Sequence, residues 1–146
     1  MSYKCGWLIP ANERAAAAAF LKISPTLLEM RKLEVDTDLP RDAWDDAITV
    51  ALYFMDLAES SPLSIELNEF RDLLESMCSI PGVDWLQSWI QIGIIETIQN
   101  SLANRFSRNN QSLSPKDFYG SLGPMSQKAW RAVDKMWGTS INDIDE

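Results

Sequence analysis

Asp84-Trp85-Leu86-Gln87-Ser88-Trp89-Ile90-Gln91-Ile92-Gly93-Ile94-Ile95-Glu96-Thr97-Ile98 is the stretch from which the architecture is read. Asp84 is placed to cap a helix, and beyond it Glu96 is the one charged residue of the stretch. The apolar positions do not alternate as in a strand; they cover most sides of a helix running over about 84–106. A helix of that kind sits at the centre of a bundle, because a surface helix would keep a polar face. Its isoleucines lose rotamer freedom in a helix, so burial has to override a small intrinsic cost.

Outward from this segment, the other long apolar patterns also have helical period. Pro81-Gly82 separates it from a helix over about 63–79, in which Leu63, Leu67, Phe70, Leu74, Met77 and Cys78 line one face and Glu66, Glu69, Asp72 and Glu75 the other. Before the Ser60-Ser61-Pro62 turn, Pro40 opens a helix reaching about Ala58. There Trp44, Ala47, Ile48, Ala51, Phe54, Met55 and Ala58 form the apolar stripe, leaving Asp42, Asp45, Asp46, Asp56 and Glu59 mostly off it. Asn12 is positioned to cap a helix over 12–23, and Ser24-Pro25 restarts the chain as a helix near 25–34. Downstream, Ser107–Ser114 reads as a polar loop, Ser114-Pro115 as the start of a brief helix, and 125–137 as the last one. On that last helix Ala129, Trp130, Val133, Met136 and Trp137 share a face, and Gly138 stops it. The expected fold is all-α: a single-domain bundle of five to seven helices spanning 1–138, followed by an acidic tail over 139–146.

With 146 residues, 46% of them hydrophobic and 23% charged, the chain is long and apolar enough to build its own core. Six tryptophans can anchor that core without disulfides. The two cysteines, Cys5 and Cys78, form neither a disulfide framework nor a zinc pattern, and Cys78 continues an apolar face as a core thiol. No stretch reaches the roughly 20 apolar residues of a membrane span. Trp7-Leu8-Ile9 ends at Pro10, and Asn12-Glu13-Arg14 interrupts any leader core, so the expected location is the cytoplasm.

Function is constrained mainly by what is missing. The chain has no histidine, which removes His-based acid–base and nucleophile systems and HExxH zinc sites. Neither GxGxxG nor GxxxxGK[ST] occurs. No cofactor is expected. A net charge of −8 opposes general affinity for nucleic acid or anionic membrane.

That charge is segregated. Thirteen carboxylates and only two basic residues, Arg41 and Arg71, fall between Glu34 and Asp84. Basic residues outnumber acidic ones five to two over 1–33 and six to two over 105–137. Gathered like charges repel, so an acidic helical face is a contact surface for something basic. The expected function is a non-enzymatic protein–protein interaction module, of adaptor, inhibitor, immunity or viral accessory type. Asp42, Asp45, Asp46, Glu66, Glu69, Asp72 and Glu75 would present that face to a partner with a basic surface. Trp7, Arg105, Arg108, Lys128, Arg131 and Lys135 are further contact candidates, and pairing of acidic with basic faces would give a self-assembling homo-oligomer.

A third class follows from the same carboxylates. Asp42, Asp45 and Asp46 stand at i, i+3, i+4, and Glu69 and Asp72 on the next helix at i, i+3. Acidic clusters on neighbouring antiparallel helices can hold Mg²⁺ through oxygen ligands. This layout resembles the all-helical nucleotide pyrophosphohydrolases, which use Glu-rich motifs on adjacent helices. The resemblance implies a Mg²⁺-dependent hydrolase of nucleotide diphosphates, with Asp42, Asp45, Asp46, Glu69 and Asp72 as the metal set. The sequence departs from that pattern in using Asp for Glu in the first cluster and in offering only Arg71 nearby for phosphate.

Overall fold

The computed structural model describes residues 9–29, 42–107 and 113–136. Every regular element among them is helical, and the chain is an all-α bundle. In order these are α1 (Glu13–Leu21), α2 (25–29), α3 (Ala43–Ser60), α4 (Ile65–Cys78) and α5 (Asp84–Ser88). A π-helical segment (Trp89–Ile95) continues α5 directly into α6 (Glu96–Ser107), followed by α7 (Pro115–Gly120) and α8 (Pro124–Met136). The run from Asp84 to Ser107 is thus one continuous helical path, as its sequence predicts. It touches α3 and α8, and α1 reaches its first turn. Trp89, Ile90, Ile94, Ile95, Ile98 and Leu102 are buried in one shared core with Phe20, Phe54, Phe70 and Trp130. Phe54 stacks on Phe70 at 4.5 Å between ring centroids, and Phe20 bridges Phe70 and Trp89. Trp89 Nε1 donates to the Ala43 carbonyl at 3.0 Å, which fixes the start of α3 against the central helix.

Local signals place the helix starts. Asn12 caps α1 by accepting from Ala15 N–H, Ser24 caps α2 by accepting from Leu27 N–H, and Ser64 and Ser114 do the same for α4 and α7. α3 starts later than its proline suggests: Asp42 is its N-cap, not a residue of its interior. α4 starts at Ile65, so Leu63 belongs to the exposed turn instead of the apolar face. Residues 30–34 and Pro40, predicted to end the second helix and open the third, lie outside the described residues, as does Trp137.

The π-helical segment was not legible in the periodicity. There the Glu96 N–H bonds to the Gln91 carbonyl, five residues back. Just beyond the segment Thr97 Oγ1 donates to the Gly93 carbonyl, four residues back, at 2.9 Å. Gly93 lies against α3 so closely that a Cβ there would come within 2.8 Å of Ala47 Cβ and 3.4 Å of the Trp44 ring. Ala47, Ala51, Phe54, Met55 and Ala58 of the expected stripe are buried, and the close approach at Ala47 goes with a shift of the buried arc at the start of α3. The buried arc is Ala43, Asp46, Ala47, Val50, Ala51, Phe54, Met55 and Ala58. Ala47 faces Gly93 of the central helix, and Trp44 and Ile48, expected inside, stay partly exposed, the Trp44 ring lying over the edge of that contact. Asp46, expected outside, is carried in with the alanines and is 2% exposed.

Candidate functional site

The seven carboxylates expected to form one acidic face do five different things. Asp42 and Asp45 close a capping box at the start of α3. Asp42 Oδ1 accepts from the N–H groups of Trp44 (3.0 Å) and Asp45 (2.9 Å), and Asp45 Oδ2 accepts from the Asp42 N–H (3.2 Å). The Asp45 N–H holds the Asp42 carboxyl below the usual carboxylate range, with slight desolvation opposing and the Trp44 N–H adding to it. A lowered folded-state value makes this cap complete above the ordinary carboxylate range and weakens it as pH falls through the lowered one. Asp46, beside them in sequence, is buried.

Glu66 belongs to a hydrogen-bonded chain. Tyr53 Oη donates to Glu66 Oε1 at 3.0 Å and lies 2.9 Å from Ser24 Oγ. With its only proton committed to Glu66, Tyr53 accepts from the Ser24 hydroxyl, whose oxygen in turn caps α2. One carboxylate thereby ties α2, α3 and α4 together. Tyr53→Phe removes both links, and the expected loss is about 1 kcal/mol of unfolding free energy, read as a lower urea midpoint at unchanged slope.

Glu75 is the furthest from its expected place. It reaches from α4 to the start of α8, where Oε2 accepts from Met125 N–H and Oε1 accepts from both the N–H and the hydroxyl of Ser126, all at 2.9 Å. α8 opens Gly123-Pro124, with no side chain at the N-cap and no N–H at the first helical position. Its next two N–H groups therefore take their acceptor from a carboxylate about 50 residues earlier in the chain. The sequence did carry this signal: a helix start lacking its own cap, in a bundle with surplus carboxylates, needs one from a neighbour.

Glu69 and Asp72 remain. Both are exposed, and neither side chain has a hydrogen bond or ion pair among the described residues. They flank a groove of about 380 Å³ between α4 and the end of α1, lined also by Ala19, Lys22, Ile23 and Leu73. The floor is apolar, the α4 rim anionic, and Lys22 stands on the α1 side. Asp42, Asp45 and Asp46 are not part of it. Tyr53 and Phe54 are residues of α3 that meet Glu66 and Phe70, and the first turn of α3 begins about 15 Å further along the axis. Among the described residues no group of three or more Asp, Glu, Cys or His side chains converges to hold a metal ion. The five residues offered as a Mg²⁺ set are thus divided between a helix cap, the core and the groove.

The basic candidates are better gathered. Lys128, Arg131 and Lys135 stand at i, i+3, i+7 and are all exposed on α8. Arg131 donates to Tyr119 Oη, which steadies its place on that stripe. Arg105 lies within α6, while Trp7 and Arg108 fall outside the described residues. A second cavity, about 320 Å³, opens beside Cys78, Ile80, Pro81, Gln87, Met125 and Lys128. Burial pushes the Cys78 thiol up to about 12, the neighbouring Ser126 side chain works the other way, and the Glu75 charge adds to the rise. That thiol stays protonated and is no nucleophile, in keeping with a core cysteine.

No helix among the described residues is long and apolar enough to cross a membrane. No protein-family model matches the chain, and neither a curated protein nor a solved structure matches it.

Proposed function

We propose that this chain is a protein-interaction module that receives a basic side chain of its partner in the groove between α1 and α4. One observation carries the reading. Of the seven acidic candidates, only Glu69 and Asp72 have no side-chain partner among the described residues, and they stand one helical turn apart over an apolar floor. An arginine or lysine entering there lays its methylene stem on Ile23 and Leu73 and sets its charge between the two carboxylates. Lys22 on the opposite wall repels a second cation, so the groove favours a single basic residue over a polybasic run.

The test is capture of a partner from the native host by immobilised protein, with Glu69→Lys/Asp72→Lys alongside. The double variant should keep its thermal midpoint and lose at least about tenfold in affinity for the captured partner, and capture should weaken with salt. Unchanged capture removes the groove as the site.

A second reading rests on the α8 stripe, where three cations face solvent on one side of a helix. Lys128, Arg131 and Lys135 of one copy would meet Glu69 and Asp72 of the next. Sedimentation at low ionic strength then shows oligomers that dissociate as salt rises; a monomer under all conditions rules it out.

A further inference from the structure

Trp44, Ile48 and Leu52 follow one another at i, i+4 and i+8 on α3, and they keep 39, 45 and 36% of their surfaces exposed. Three large apolar side chains in line form a stripe, whereas single exposed ones need no explanation. Ile92, 36% exposed on the neighbouring π-helical segment, lies next to Gly93, on which the Trp44 ring rests. The indole is therefore held on one side and open on the other. A half-open tryptophan packed on one face is the kind of anchor that dominates binding energy at interfaces.

Charge says what fits over this stripe. From Asp42 to Ser61 the chain has no basic residue, and Asp45 and Asp56 are exposed on the solvent side of α3. A second copy laid on the same face would set these aspartates against their own equivalents, which opposes isologous pairing. We propose that the α3 stripe is a docking surface for an amphipathic helix of a partner protein, one whose apolar face is flanked by lysine or arginine. Its apolar residues cover Trp44, Ile48 and Leu52, and its cations lie along Asp45 and Asp56. This surface is separate from the α1–α4 groove. Tyr53, which points to Glu66 and Ser24, is about 140° around the helix from Ile48.

The probe is a fluorescein-labelled, 18-residue peptide of leucine and lysine with leucines at helical spacing, read by fluorescence anisotropy. A matched peptide with glutamate for lysine is the control. The lysine peptide should bind and the glutamate peptide should not. Ile48→Asp and Leu52→Asp should each weaken binding about tenfold or more, with circular dichroism confirming the folded state. Glu69→Lys/Asp72→Lys should bind the peptide within about threefold of wild type, given the distance between the surfaces. The substitutions to aspartate add negative charge. If attraction were merely long-range, Ile48→Asp would bind more tightly, and that result overturns the proposal. Absence of binding by the unaltered protein overturns it too. So does self-association in sedimentation that Ile48→Asp abolishes, which would make a second copy the occupant.

Discussion

Glu75→Ala should be the most damaging single change among the acidic residues, lowering unfolding free energy by about 2–4 kcal/mol. Three hydrogen bonds to an ionised acceptor are lost together, and two of the donors belong to Ser126, which is fully buried. Those donors have no water to turn to, so the cost is that of unsatisfied groups and not only of a missing contact. For a chain of this length the loss corresponds to a fall of roughly 10 °C in thermal midpoint. Gln at position 75 keeps one carbonyl oxygen and should recover part of the loss. A sharper check uses Gly123, whose carbonyl begins the α8 ladder by accepting from Gln127 N–H. A Cβ at 123 would stand 2.6 Å from the Glu75 carboxylate, so Gly123→Ser alone should destabilise. In the Glu75→Ala background that space is empty and a serine hydroxyl there can cap α8 locally, so the double variant should be more stable than Glu75→Ala alone. If the two substitutions simply add, Glu75 does not cap α8.

Gly93→Ala should cost about 1–3 kcal/mol, against the roughly 1 kcal/mol that alanine normally gains over glycine inside a helix. The new methyl would meet Ala47 Cβ at 2.8 Å, so α3 and the central helix have to move apart or the local turn has to distort. Removing the opposing methyl relieves the clash. Ala47→Gly should therefore destabilise the parent yet stabilise, or leave unchanged, the Gly93→Ala variant. The coupling between the two positions should reach about 0.5–3 kcal/mol by chemical denaturation. Independent effects would mean that the two helices do not approach as closely as described.

The same approach of Gly93 to Ala47 marks where the sequence could and could not be read. Helical period, caps and breakers identified the helices because these depend on near neighbours. Asn12, Ser24 and Ser114 acted as caps where expected, and the run from Trp85 to Ile98 announced its central position by having almost no polar face. Which side of α3 turns inward depends on what it meets. Ala47, Ala51, Phe54, Met55 and Ala58 of its stripe are inside as expected, but Trp44 and Ile48 stay partly in solvent, because the residue α3 meets at Ala47 is a glycine on a tightly packed π-helical turn. Asp46 followed Ala47 into the core for the same reason. The acidic face dissolved on similar grounds. Charge counting assumes that carboxylates are free to face a partner, but Asp42 and Asp45 cap their own helix through near neighbours, and Glu66 and Glu75 answer donors that only the fold brings within reach. Glu69 and Asp72 are what remains once those donors are served.

The most direct measurement is the thermal midpoint of four single alanine variants, Asp42→Ala, Glu75→Ala, Glu69→Ala and Asp72→Ala, at neutral pH and one salt concentration. The division of labour described above predicts clear losses for the first two and changes within about 1 °C for the last two, since exposed, unpaired carboxylates contribute little to stability. Equal midpoints for all four would contradict it, as would a loss at Glu69 or Asp72 matching that at Glu75.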